Sequence, residues 1–83
     1  MITALAYLKE VLSNYTDTEE LGRSIYRKLE QEHYSTELSF VRELTEEETS
    51  FLNNILPDEI EYANNEQDEV RAEQLNEVYE LLL

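Results

Sequence analysis

The chain has no cysteine and no tryptophan, and only one glycine, one proline and one histidine among 83 residues. Without cysteine there is no disulfide, no thiolate metal ligand and no thiol nucleophile. The lone His33 leaves a zinc site within one chain short of its usual ligands. A single glycine rules out a Gly-rich phosphate loop, and no GxSxG is present. Positive charge is scarce, with six Lys and Arg against twenty Asp and Glu. No run approaches the ~18 apolar residues of a membrane span. The opening MITALAYLKEVL lacks a basic n-region, carries Lys9 and Glu10, and offers no small-residue cleavage site. No signal peptide is therefore expected, and the expected address is the cytoplasm.

These absences set the chemical expectation: no enzyme activity, no cofactor and no metal. Glu30 and His33 do have the Glu-x-x-His spacing of di-iron carboxylate bundles. Such a site needs two of these motifs and two further glutamates, so one histidine per chain could complete it only in a symmetric dimer. The simpler reading of His33 is a surface residue at a helix end, favoured there by the helix dipole.

Apolar residues make up 41% of the chain and six tyrosines are spread along it, which sets it apart from disordered acidic tails. The net charge of −14 is unevenly placed. Residues 1–42 carry seven acids against five bases, a balance of −2, whereas residues 43–83 carry thirteen acids against Arg71 alone, a balance of −12. A field of that sign repels nucleic acid and anionic membrane. The expected partner is a protein with a basic surface, with no direct nucleic acid and no membrane. A homodimer through the terminal Leu81-Leu82-Leu83 is a further expectation, since small helical domains gain stability by association.

Apolar positions recur at helical spacing almost throughout. Ile2, Leu5, Leu8 and Leu12 share one face, and Ser13-Asn14 end that segment. Thr16 and Glu19 have capping-box spacing ahead of Leu21, Ile25 and Leu29, which predict a second helix to about His33. Glu19–Arg23 and Lys28–Glu32 stand as i,i+4 ion pairs on its outer side. Gly22 within it suggests close approach of another helix. Residues 36–44 fit a short helix capped by Ser35 with Leu38, Val41 and Leu44 inward, or a strand with Leu38 and Phe40 alternating. No second strand is available to pair with, so the helix is preferred. Thr45 and Glu48 form another capping box, opening a helix with Leu52, Ile55 and Leu56 on its apolar face. Pro57 predicts a kink or a fresh start. The last helix runs from about Asp68 to Leu82. The fold class is all-α: one domain over residues 1–83, a bundle of four to five short helices.

In residues 66–82, EQDEVRAEQLNEVYELL, the acids Glu66, Glu69, Glu73, Glu77 and Glu80 fall in one stripe, opposite Ala72, Leu75, Val78, Tyr79 and Leu82. Any amphipathic surface helix shows such a stripe. Acids every three or four residues also stand ~5–6 Å apart along the axis, a spacing suited to imitating a row of phosphates. The stripe has no interspersed lysine, unlike a mixed solvated surface. Arg23 and Arg27, with Tyr26 beside them, form a small positive ridge on the second helix. The ridge either pairs with Glu19, Glu20 and Glu30 or meets acids from elsewhere. Tyr7, Tyr26, Tyr62 and Tyr79 are read as core-edge residues with wet hydroxyls.

The stretch LTEEETSFLNNIL, followed by Glu61-Tyr62-Ala63, resembles the helix start of a small acidic antirepressor of bacilli that occupies an AbrB-type transcription regulator in place of DNA. The likeness covers about twenty residues and carries no residue roles. It implies only that a protein of this style can inhibit a DNA-binding partner. The functional expectation from sequence is a small regulatory or adaptor protein that binds another protein through its acidic helical face. The alternative is a structural, homo-oligomeric helical protein without such a face.

Overall fold

The computed structural model describes residues 2–82 and contains five helices: α1 (Thr3–Leu12), α2 (Glu20–Gln31), α3 (Glu37–Arg42), α4 (Glu46–Asn65) and α5 (Glu69–Leu82). No strand occurs among the described residues. The principal contacts run from α1 to α2, α2 to α4, α4 to α5 and α5 back to α1, with α3 packed on α5. Four helices thus close a ring in which α2 and α5 occupy diagonal corners, with α1 and α4 between them.

Each helix contributes one apolar stripe to the centre of the ring. Leu5, Leu8 and Leu12 of α1, Ile25 and Leu29 of α2, Leu52 and Leu56 of α4, and Leu75 and Val78 of α5 are at most 1% exposed. Burying each such side chain is worth ~1.5–3 kcal/mol, so this set supplies most of the driving force for folding. Leu82 is buried within its own chain and Leu81 is 38% exposed. Leu83, the last member of the expected pairing surface, lies outside the described residues.

Several expectations from sequence are corrected locally. Thr16 does not cap α2: its hydroxyl donates to the Ser13 carbonyl at 3.2 Å. Glu19 stands at the N-cap with no side-chain bond. For α3 the cap is Thr36 rather than Ser35, with Thr36 and Ser39 bonding each other's backbone N–H. The residue that α3 sends into the core is Phe40, fully buried and edge-on to Tyr34 with ring centroids 5.4 Å apart, while Leu38 is 41% exposed. Pro57 does not restart a helix, for α4 continues through it. The proline is exposed, so the backbone bond it cannot donate is missing on the wet side, where water can serve the freed carbonyl.

Glycine is used where a side chain has no room. A Cβ on Gly22 would stand 2.8 Å from Tyr15 Cβ and 3.0 Å from its carbonyl oxygen. The close neighbour is thus the turn after α1, not another helix. That turn is fixed by Tyr15, which donates to Glu59 Oε2 at 2.7 Å and meets Phe51 edge-on at 5.8 Å. Burial, then the hydrogen bond to Glu59 and the nearby charges of Glu59 and Asp58, push the Tyr15 hydroxyl up to about 12.

Where the backbone turns left-handed, by contrast, the residue is Gln67, with φ of 61°. Its N–H donates to the Asn64 carbonyl at 3.0 Å, and the N–H of Asp68 donates to the Ala63 carbonyl at 2.9 Å, a Schellman closure of α4. Asp68 Oδ1 then accepts from the N–H of Arg71 at 3.1 Å, opening α5. Two substitutions should therefore move stability in opposite directions. Gly22→Ala should lower it by ~1–2 kcal/mol, because overpacking outweighs the gain in helix propensity. Gln67→Gly should raise it by ~0.5–1 kcal/mol by removing left-handed strain. Urea denaturation of both variants checks this pair, and stabilisation by Gly22→Ala would contradict the packing described.

Candidate functional surfaces

Three groups of polar side chains stand out: an acidic face on α5, a basic ridge on α2, and a buried ionic cluster joining α2 to α4. The acidic face is shorter than its sequence pattern. Glu69, Glu73, Glu77 and Glu80 are exposed along α5. Glu66 is the C-cap of α4, separated from α5 by the left-handed Gln67, so it does not continue that row. The face is joined instead by Glu37 at the start of α3. Burial, then the charge of Glu77 and a hydrogen bond with it, raise the Glu37 carboxyl above the usual range. Arg71, the one base of the second half, is not free to neutralise the row. It is ion-paired with Glu10 of α1, and its Nε lies 3.8 Å from Asp68 Oδ2.

The basic ridge is intact but differently partnered. Arg23 and Arg27 are exposed on α2, and neither forms an ion pair among the described residues. Glu19, Glu20 and Glu30 do not engage them as expected; Arg23 Nη1 instead donates to the Thr16 carbonyl at 2.9 Å. Tyr26 is half-buried beside them, with Lys9 Nζ 5.4 Å from its ring centroid. A groove of about 430 Å³ lies between α1 and α2, lined by Ala6, Lys9, Glu10, Ser13 and Tyr26. His33 is exposed beyond the end of α2, and no group of three or more His, Cys, Asp or Glu among the described residues could hold a metal. Tyr7 and Tyr79 sit half-buried as expected, whereas Tyr62 is 56% exposed.

The cluster that sequence reasoning missed centres on Glu48, a charged residue only 1% exposed. Its capping-box spacing with Thr45 was legible, and the box forms, with the Thr45 N–H donating to Glu48 Oε1 at 2.9 Å. The same carboxylate also accepts from Ser24 Oγ at 2.6 Å and is ion-paired with Lys28. Lys28 Nζ in turn donates to the Glu43 carbonyl at 2.9 Å. The expected Lys28–Glu32 pair is absent because Lys28 turns inward to this carboxylate. Burial would raise the Glu48 carboxyl, but the hydrogen bonds from Lys28, Ser24 and Thr45 and the Lys28 charge outweigh it and leave it below the usual range. No spacing rule signals this cluster, because Ser24 and Lys28 meet Glu48 only when α2 lies against the start of α4.

Over residues 1–83 the chain matches the family described as "CsgA: Minor curli fiber component A". It is also 51% identical, over the whole of both chains, to a protein of Bacillus subtilis (strain 168) named "Sigma-G-dependent sporulation-specific SASP protein". The chain belongs to the CsgA family. No solved structure matches it.

Membership of the CsgA family corrects the functional expectation. The regulatory adaptor that binds through an acidic face is overturned by the full-length relative, which is named as a sporulation-specific SASP, a small acid-soluble protein. The row on α5 is what an amphipathic helix shows whether or not anything docks there. The partner expectation, a basic-surfaced protein to the exclusion of nucleic acid, is withdrawn on the same finding. Its physical weakness was the use of total charge. At physiological salt a charge is felt over ~8 Å, so what a partner meets is the local surface, not the sum of −14. Neither match bears on the antirepressor likeness around residues 44–63. No family of enzymes is indicated, and no helix among the described residues is long and apolar enough to cross a membrane.

The two shifted carboxyls make opposite contributions to stability as pH changes. Glu48, lowered in the fold, stabilises it above the ordinary carboxylate range, and this is lost as pH falls through its folded value. Glu37, raised in the fold, disfavours it when charged, and that penalty lifts as pH falls through its raised value. Melting temperature should therefore hold or rise on acidification from neutral to about pH 5, then fall below about pH 4. Glu48→Gln should cost ~2–3 kcal/mol at pH 7, the low side for a broken buried pair because Lys28 is 28% exposed. The variant should also flatten the acid limb. Calorimetry from pH 3 to 7 checks both, and an unchanged acid limb in Glu48→Gln would remove Glu48 as its cause.

Proposed function

We propose that this protein is a non-enzymatic, structural small acid-soluble protein made during sporulation, residing in the cytoplasm that becomes the spore core. The observation that carries the reading is the 51% identity to the sporulation-specific SASP protein across the full length of both chains. The match spans the whole of both chains, so the likeness is not confined to one shared helix. The composition agrees with the acid-soluble part of the name. Full protonation of the twenty acids leaves six Lys and Arg and one His, so the chain passes from strongly negative to clearly positive, and net charge of either sign opposes precipitation.

The family description speaks of a fiber component, a different role from that of the curated relative. The relative carries more weight, being a single protein matched end to end. Among the described residues there is also no strand whose edge could extend a sheet from one molecule to the next. The test is an immunoblot of dilute-acid extracts from growing cells, from successive stages of sporulation and from purified spores. The protein should be absent during growth, rise late and persist in spores. Equal amounts in growing cells, or absence from spores, would refute the proposal.

A further inference from the structure

We infer that the groove between α1 and α2 is a binding site for a small organic acid, a single carboxylate carried on a flat apolar body. The inference does not depend on the spore-protein reading. It rests on a hollow left by one small residue and on one cation at its edge. Ala6 is exposed on α1 and lines two adjoining openings. The larger, of about 430 Å³, is walled by Lys9, by Ser13 at the end of α1 and by Tyr26 of α2. The smaller, of about 300 Å³, is walled by Thr3 and Tyr7, and Glu10 lines both. Together they form a trough with a half-buried tyrosine at either end, within the size range of small-molecule sites.

The charges at the trough are already sorted. Glu10 is ion-paired with Arg71, and the Ser13 hydroxyl donates to the Glu10 carbonyl at 2.6 Å. Lys9 is paired with no acid among the described residues, and its Nζ stands 5.4 Å from the centre of the Tyr26 ring. A ring holds an ammonium in place without neutralising it, so an entering carboxylate meets a positioned cation with three N–H donors. Arg23, one turn from Tyr26 on α2, is held by the Thr16 carbonyl and adds positive potential at that end. Arg27 and Arg42 are also exposed and unpaired among the described residues, but neither lines the groove. The site is therefore defined by Lys9 over Tyr26 beside the Ala6 floor, not by a count of free bases.

Each part of the ligand answers one part of the site. The carboxylate accepts from Lys9. The body lies on the Ala6 methyl group and against the edge of the Tyr26 ring, the kind of contact that Tyr15 makes with Phe51 and Tyr34 with Phe40. A flat body suits this floor, because a methyl group between larger neighbours leaves breadth rather than depth. The excess of acids elsewhere does not forbid the site, since charges beyond ~8 Å are largely screened at physiological salt. Glu19 and Glu30, exposed on α2, weaken the attraction without occupying Lys9.

Amide chemical shifts of the full-length protein, titrated with sodium benzoate at pH 7 and 150 mM salt, test this. Benzoate should give saturable shifts centred on Ala6, Lys9, Ser13 and Tyr26. The Kd should be ~1–10 mM, because so small a ligand buries little surface. Benzyl alcohol, the same body without charge, and acetate, the charge without the body, should each bind at least ~threefold more weakly. Lys9→Gln should bring benzoate down to the level of benzyl alcohol. Ala6→Leu, which fills the floor with a good helix former, should abolish binding with helical circular dichroism intact. No saturable shift up to 50 mM benzoate, shifts centred elsewhere, or unchanged affinity in Lys9→Gln overturns the assignment. So does binding of a short glutamate-rich peptide in this groove where benzoate fails, since the occupant would then be an acidic chain.

Discussion

The carboxylate of Glu48 connects more of this fold than any other single group. It closes the start of α4 through Thr45, ties α4 to α2 through Ser24 and Lys28, and through Lys28 reaches the carbonyl of Glu43 between α3 and α4. A buried charge is costly unless its bonds are satisfied. Here the hydrogen bonds from Lys28, Ser24 and Thr45, with the Lys28 charge, outweigh the burial. The consequence is registry: α2 can lie against α4 only where Ser24 and Lys28 reach position 48, and in that register Ile25, Leu29, Leu52 and Leu56 all join one core cluster. The apolar stripes alone would tolerate sliding by a turn. The ionic cluster would not.

The ring that results also separates the charges. Helix α5, held diagonally from α2, carries its acids outward with no base near them except Arg71, which is committed to α1. Helix α2 keeps two arginines outward because its lysine is committed inward to Glu48. Of the six bases, Lys28 and Arg71 serve as joints, whereas Arg23, Arg27 and Arg42 stand exposed and Lys9 lies against the Tyr26 ring. The strongly acidic second half is then compatible with a first half that offers a local positive centre.

How much was legible beforehand follows from the range of each interaction. Helix content, the Thr45–Glu48 box, the inward faces of α1, α4 and α5, and the starting point of α5 all depend on residues within one or two turns, and all could be read from spacing. The errors concern partners distant in sequence. Helical spacing points Lys28 to Glu32, four residues away, whereas in the fold it pairs with Glu48, twenty away. A glycine within a helix suggests another helix close by, whereas Gly22 makes room for the turn at Tyr15. Phe40 was one member of an ambiguous segment and is the bulkiest side chain in the core. Within reach of one helix, periodicity decides; beyond it, packing does.

The functional misreading has the same root. Summed charge is a property of composition, whereas recognition happens over a Debye length of surface. A row of glutamates looks purposeful when counted along a sequence. In the fold, Glu66 drops out of the row, and Glu77 faces Glu37, an acid that makes the site more negative and raises a carboxyl. Such a pair is the arrangement a solvated face tolerates when nothing selects against mild repulsion. By the same reasoning, an arginine that ignores three nearby glutamates on its own helix is the more informative feature. Helical spacing offered Arg23 and Arg27 carboxylates at no cost in chain entropy, and the packed structure leaves them unused.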